Sequence, residues 1–185
     1  LVKDHPQYVA DHQMAVIDCL LDNDETLKRK TLDLLFRMTN SSNVTVIVEK
    51  LLNFLSVPSD EHFKADLVQR VTQCAEKFAP SNVWYIQTVL SVFDLASEHL
   101  TANVAETLMQ LIADGVDEDE EEGAEQCPTG RSSEDEMRTE AVEDFLSLIE
   151  KPIVTPVLVS TASWVLGEYG YLSETCAPLE LIEKM

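Results

Sequence analysis

Glycine is scarce in this chain, with five residues among 185, at positions 115, 123, 130, 167 and 170. Loops that cradle a phosphate need closely spaced glycines so that the backbone can approach the ligand. Neither GxGxxG nor GxxxxGK followed by Ser or Thr occurs, which excludes the familiar routes to nucleotide binding. Basic residues are also few. Thirteen Lys+Arg stand against 34 Asp+Glu, giving a formal net charge of −21. Nucleic acid is a poor partner for such a chain, because phosphate binding needs clustered cations. An anionic membrane surface repels it for the same reason.

Cysteine is sparse and scattered. Cys19, Cys74, Cys127 and Cys176 form no CxxC, so neither a zinc site nor a disulfide framework is expected. A reduced, cytosolic setting fits that usage. Asn40-Ser41-Ser42 and Asn43-Val44-Thr45 match glycosylation acceptors only formally. No signal peptide is evident, and no apolar run is long enough to cross a bilayer. The richest stretch, Ile153 to Leu166, is broken by Thr155, Pro156, Ser160, Thr161 and Ser163. The chain opens at Leu1 and closes at Met185, just after an apolar cluster begins at Leu179, so a fragment of a longer protein is expected.

What is present is helical period. Phe63, Leu67, Val71, Cys74, Ala75 and Phe78 follow one apolar stripe. Leu27, Thr31, Leu34, Leu35 and Met38 form another, as do Val104, Leu108, Leu111 and Ile112. A fourth comprises Met137, Ala141, Val142, Phe145, Leu148 and Ile149. No segment shows the strict alternation of a strand, so the fold class is all-α.

The breaks fall at regular intervals. Pro6 opens a first helix running to about Leu21, since a helix's first N–H has no partner to lose. Asp22-Asn23-Asp24-Glu25 caps a second that ends near Thr39. Asn40-Ser41-Ser42-Asn43 turns into a third, ending near Val57, and Pro58-Ser59-Asp60 opens a fourth to about Ala79. Pro80-Ser81-Asn82 opens a fifth to about His99, and Thr101 caps a sixth that stops at Gly115. Ser133 to Glu136 has capping-box spacing for a seventh. An eighth follows Lys151-Pro152, can bend at Pro156, and closes near Gly170. Such lengths and turns read as αα-hairpins, two of them filling the roughly 36 to 43 residues of HEAT and armadillo units. The expected architecture is a right-handed α-solenoid of about four hairpins, without a crisp sequence repeat.

Residues 116–132 stand apart. Asp117 to Glu122 and Glu125, with Gly123, Gly130 and Pro128, carry no apolar period. They read as an acidic, disordered insertion between the sixth and seventh helices.

Few residues suggest chemistry. His5, His12, His62 and His99 are scattered without metal spacing, and no catalytic constellation, metal site or cofactor is expected. Asp22 and Asp24 could form a carboxylate pair, but both stand where a helix cap is wanted. Asp117 to Glu122 could hold calcium weakly, yet lacks the alternating ligands and Gly of an EF-hand loop. Ser132 and Ser133 precede acids, as acidophilic kinases favour, and one of them can equally cap a helix. Lys28-Arg29-Lys30 spreads over about 200° of a helix, which weakens a phosphoinositide reading and favours ion pairs with Asp24, Glu25 and Asp33. Trp84, Tyr85, Trp164, Tyr169 and Tyr171 could anchor a partner or fill core between hairpins.

The words of the sequence carry a resemblance. His12 to Leu20 (HQMAVIDCL) and Asp24 to Asn40 (DETLKRKTLDLLFRMTN) resemble the large chains of adaptor-protein complexes, the α, γ, δ and ε adaptins of vesicle coats. Asn43 to Leu52 (NVTVIVEKLL) looks most like ε-adaptin, of the fourth adaptor complex. Glu76 to Pro80, Trp84-Tyr85-Ile86 and Trp164 to Tyr169 continue the match in family order, whereas residues 116–132 have no counterpart. The resemblance implies a central piece of the helical N-terminal trunk. That trunk holds a small σ chain, a β-type large chain and a medium μ chain. It also implies recruitment by an Arf-type GTPase through parts outside this chain, cargo sorting at the trans-Golgi network, and peripheral membrane association only. No binding residue carries over. Another adaptin, γ, δ or α, and an unrelated HEAT-type scaffold are the alternatives.

Overall fold

The computed structural model describes residues 15–22, 24–57, 60–115, 133–152 and 154–173. Every regular element among them is helical. In chain order these are α1 (Glu25–Met38), α2 (Val44–Leu55), α3 (Glu61–Phe78), α4 (Asn82–Ala96), α5 (Ala102–Asp114), α6 (Ser133–Ile149) and α7 (Pro156–Tyr169). Short 3₁₀ turns occupy Cys19–Leu21, Ser97–His99 and Gly170–Leu172. The chain divides into two compact units, residues 1–80 and 81–185. Of the first expected helix, only residues 15–21 are described, and the acidic segment 116–132 lies outside the described residues.

In the first unit the caps set the helix starts. The Asp24 carboxylate accepts from the Thr26 and Leu27 N–H groups at 2.8 and 3.3 Å, and Asp22 accepts from Asp24 N–H at 2.9 Å. Asp60 does the same for α3, taking His62 and Phe63 N–H at 3.1 and 3.3 Å. Each such cap is worth about 1 kcal/mol. Asn43 knits its turn instead of capping α2. Its Oδ1 accepts from Asn40 N–H at 2.8 Å and its Nδ2 donates to the Met38 carbonyl at 3.1 Å.

α3 packs against both α1 and α2. Its stripe is buried as expected from Phe63 through Leu67, Val71, Cys74 and Ala75, with Phe78 half-buried at its end. The stripe of α1 is rotated from expectation. Thr31, Leu32, Leu35 and Met38 go inside, while Leu27 and Leu34 stay 38% and 40% exposed. The apolar arc of α1 is wider than its neighbours can cover.

In the second unit α4 packs on α5 and α6, α5 on α7, and α6 on α7. This is the pair-on-pair stacking of a solenoid hairpin. Phe145, Leu108, Ile112, Val142 and Val165 are fully buried at its centre, each contributing about 1.5–3 kcal/mol by leaving water. The Phe93 and Phe145 rings meet edge-on at 5.9 Å and 64°. Ser81 caps α4 through Trp84 N–H at 3.1 Å.

Two boundaries and one cap bond differ from the sequence expectation. Thr101 stands at the N-cap of α5 as expected but makes no side-chain cap bond there. Ser133 is itself helical, within α6, and does not take the non-helical capping position expected of it. Pro156 opens α7 at its first turn, with Thr155 Oγ1 accepting from Leu158 N–H at 3.3 Å, so no bend forms there. A proline at that position loses no hydrogen bond.

Candidate interaction surface

α1 and α3 lie side by side, joined by two ion pairs. Arg29 Nε meets Asp66 Oδ2 at 3.6 Å, and Arg70 Nη2 meets Asp33 Oδ1 at 2.6 Å. Each helix thus contributes one base and one acid four residues apart, which share a face. Both bridges span 37 residues. Because the two contacts advance in the same direction, α1 and α3 run parallel at a repeat of 37. That length lies in the roughly 36 to 43 residues expected of the period, but one hairpin, α1 with α2, fills it where the sequence expectation is two.

Further contacts fix the ridge. Arg37 Nη2 reaches the other Asp33 oxygen at 3.2 Å, Arg70 Nη1 donates to Gln73 Oε1 at 3.2 Å, and the Arg70 guanidinium lies 5.0 Å from the centre of the Phe36 ring. Between the helices is a depression of about 390 Å³ whose charged lining is Arg29, Lys30, Arg37, Arg70, Asp33 and Asp66. Four cations thus meet two carboxylates. Residues 1–80 hold nine of the chain's Lys and Arg against twelve acids, whereas residues 81–185 hold four against 22.

The basic cluster 28–30 therefore resolves differently from the expectation of local pairing. Lys28 lies over the Phe63 ring at 5.5 Å, Arg29 pairs across to α3, and Lys30 faces the depression. Asp24 is occupied as a cap and Asp33 by Arg37 and Arg70. Sequence reasoning missed Arg37, Asp66 and Arg70. Their only signal was a base and an acid spaced four apart on two helices 37 residues apart.

In the second unit Arg138 ties three helices together. It donates to the Ile112 and Ala113 carbonyls at the end of α5 at 3.2 and 3.0 Å. It also bridges to Glu134 at 3.1 Å and lies 5.2 Å from the centre of the Tyr169 ring. Tyr169 in turn meets Trp164 edge-on at 5.9 Å. These two aromatics and Trp84 are half-buried, Tyr85 is buried, and Tyr171 is 73% exposed. On the α4–α6 edge, the Asp144 carboxyl is pushed above its usual range by desolvation and then by Glu140, Asp94 and Glu143. Lys151 pairs with Asp94 there.

The remaining candidates are dispersed. His62 is exposed at the start of α3 and His99 is half-buried, whereas His5 and His12 lie outside the described residues. Cys19 is exposed. Burial raises the Cys74 thiol pKa, and the hydrogen bond to Thr39 offsets only part of that. Asp117 to Glu122, Ser132, Cys127 and Cys176 lie outside the described residues, as does the side chain of Ser133. Among the described residues no helix is long and apolar enough to cross a membrane.

Comparison with known proteins gives this geometry a context. Residues 1–126 match the family model described as the adaptin N terminal region. The chain is 43% identical over 170 residues to AP-4 complex subunit epsilon of Arabidopsis thaliana, covering 92% of the chain and 17% of that protein. It is 35% identical over 187 residues to AP-4 complex subunit epsilon-1 of Mus musculus, covering 100% and 16%. It is 31% identical over 166 residues to AP-1 complex subunit gamma of Dictyostelium discoideum, covering 90% and 16%. The chain thus spans about a sixth of the length of these relatives.

Proposed function

The chain belongs to the adaptin N-terminal family, and from that premise we propose that it is a non-enzymatic trunk segment of an ε-type large adaptin. Its work is to hold other subunits of a heterotetrameric vesicle-coat adaptor complex during cargo sorting and intracellular protein transport. The single observation carrying this reading is the family match over residues 1–126 joined to 43% identity with an AP-4 epsilon subunit. The partners are a β-type large adaptin, a medium μ chain and a small σ chain. An Arf-type GTPase engages parts outside these residues. The site of action is the cytoplasmic face of the trans-Golgi network, reached peripherally through the assembled complex, and no cofactor or metal takes part.

Physical reasoning agrees with a scaffold. Stacked helix pairs present long side-chain ridges, which suit contact with several chains at once. The charge asymmetry between residues 1–80 and 81–185 gives different partners different surfaces to read.

The acidic segment fits the same scheme as an insertion into one trunk solenoid. In the second unit Gln87 bonds Glu140, 53 residues on. Leaving out the seventeen residues 116–132 reduces that spacing to 36, close to the 37 of the first unit.

A second reading keeps the mechanism and changes the membrane. The 31% identity to an AP-1 gamma subunit supports a γ-type trunk as one such alternative, beside δ and α. Affinity purification of the parent protein from its own cells, with mass spectrometry of what accompanies it, separates the two. One β-type, one μ and one σ chain in equal amounts is the expected result, and the identity of the μ chain names the complex. Recovery of an enzyme subunit or a transport cargo without adaptor chains overturns both readings.

A further inference from the structure

Four cations and two carboxylates line the depression between α1 and α3, leaving two positive charges over, in a chain whose net charge is −21. Both carboxylates are already bridged, Asp66 to Arg29 and Asp33 to Arg37 and Arg70. The surplus sits at the solvent edge, where the Arg37 side chain is 74% exposed and Lys30 is exposed. Lys30, Leu34 and Arg37 follow the +4, +3 steps of one helical stripe, and Leu34 stays 40% exposed between the two cations. Lys30 and Arg37 are one heptad apart, about 10 Å along the axis at 1.5 Å per residue.

We propose that this stripe and the depression beside it dock an acidic amphipathic helix of a partner protein. Two carboxylates of that helix, a heptad apart, meet Lys30 and Arg37, and an apolar side chain between them covers Leu34. A helix laid along α1 matches the site in spacing, because its own heptad advances by the same distance, about 10 Å. Outside the depression, residues 1–80 carry five bases and ten acids, so a broad polyanion such as a bilayer or duplex gains less from this net-acidic unit than a helix that engages the stripe alone. A second copy of the same stripe places cation on cation. This inference rests on the scaffold role proposed above and names the chemistry of one partner surface.

The test uses the full chain and a labelled helical peptide bearing two Glu a heptad apart with a Leu between them. Binding is read by fluorescence anisotropy. The unaltered chain binds the peptide, more weakly as salt rises, and the Lys30→Glu/Arg37→Glu double variant loses affinity by about tenfold or more. Lys50→Glu, outside the depression, binds as the unaltered chain does. A peptide with Lys in place of both Glu reverses the order and prefers the double variant, which a purely structural role for these residues cannot produce. Circular dichroism of each variant checks the fold.

Equal binding by the unaltered chain and the double variant overturns the proposal, and so does no binding at all. Vesicles of phosphatidylserine and phosphatidylcholine bound through Lys30 and Arg37, beside a peptide that does not bind, also overturn it in favour of lipid. Co-purification decides the scaffold role separately. If β-type, μ and σ chains accompany the unaltered protein while peptide binding ignores charge, the docking inference alone falls.

Discussion

Replacing Arg138 with Ala removes more than a charge from the second unit. Its side chain is only 16% exposed and makes four contacts, to the Ile112 and Ala113 carbonyls, to Glu134 and to the face of Tyr169. The two carbonyls belong to the last turn of α5, where no intrahelical donor remains for them. Hydrogen bonds from a charged donor are worth about 1.5–3 kcal/mol when shielded, and the Ala113 contact is exposed, so the pair contributes about 2 kcal/mol. The stacking on Tyr169 adds about 0.5–1 kcal/mol, and the i,i+4 bridge to Glu134 about 0.3–0.5 kcal/mol. Arg138→Ala should therefore cost about 3 kcal/mol, a fall in Tm of about 6–12 °C for a chain of this size. Urea titration followed by circular dichroism measures the first figure and a thermal scan the second. Arg138→Lys keeps the charge but loses the planar fork, so it should recover less than half of the loss. A double-mutant cycle with Tyr169→Leu should return the stacking energy as coupling. An Arg138→Ala protein within about 1 kcal/mol of the unaltered chain would refute this account of how α5, α6 and α7 are tied.

Three further outcomes follow from the same contacts. Asp60→Ala should destabilise by about 1 kcal/mol because two N–H groups lose their acceptor, while Thr101→Ala, which removes no cap bond, should change stability by less than half as much; paired urea titrations compare them. Asp144 has a folded-state pKa above its unfolded one, so the folded state binds the extra proton and stability falls as pH rises through the carboxylate range. Asp144→Asn should accordingly raise Tm at pH 7 in low salt, with the gain gone below about pH 4, and a thermal scan at each pH reads the sign. Iodoacetamide at pH 8 should alkylate exposed Cys19 promptly and reach Cys74 only as fast as the first unit opens, because burial both shields that thiol and raises its pKa; peptide mass mapping over time separates the two.

Helices and most of their starts were legible because their causes are local. Asp24, Asp60 and Ser81 cap helices three residues or fewer away, and the stripes of α3 and α6 repeat at a period that any single helix must show. Misreadings occurred where a local pattern had two acceptable outcomes. Leu27 and Leu34 belong to the apolar arc of α1, but period alone does not say which edge of a wide arc its neighbours cover. Thr101 has the chemistry of a cap without its bond, and Pro156 suits a helix start as well as a bend. The surface itself was not legible, because Arg29, Asp33, Asp66 and Arg70 acquire meaning only when α1 and α3 lie together.

The hairpin repeat explains why it left so faint a trace. α1 carries its base before its acid, Arg29 then Asp33, whereas α3 carries the acid first, Asp66 then Arg70. A search for identical residues at a fixed period finds opposite charges at both positions and scores them as mismatches. Packing of two parallel helices asks for complementarity, not identity, at facing positions. Opposite signs satisfy that requirement and identical signs violate it. The second unit meets it by other means, with Gln87 against Glu140 and Phe93 against Phe145. A stacked helical protein therefore preserves its period in which positions touch while its residues diverge, and the 37-residue spacing becomes visible only as a set of distances.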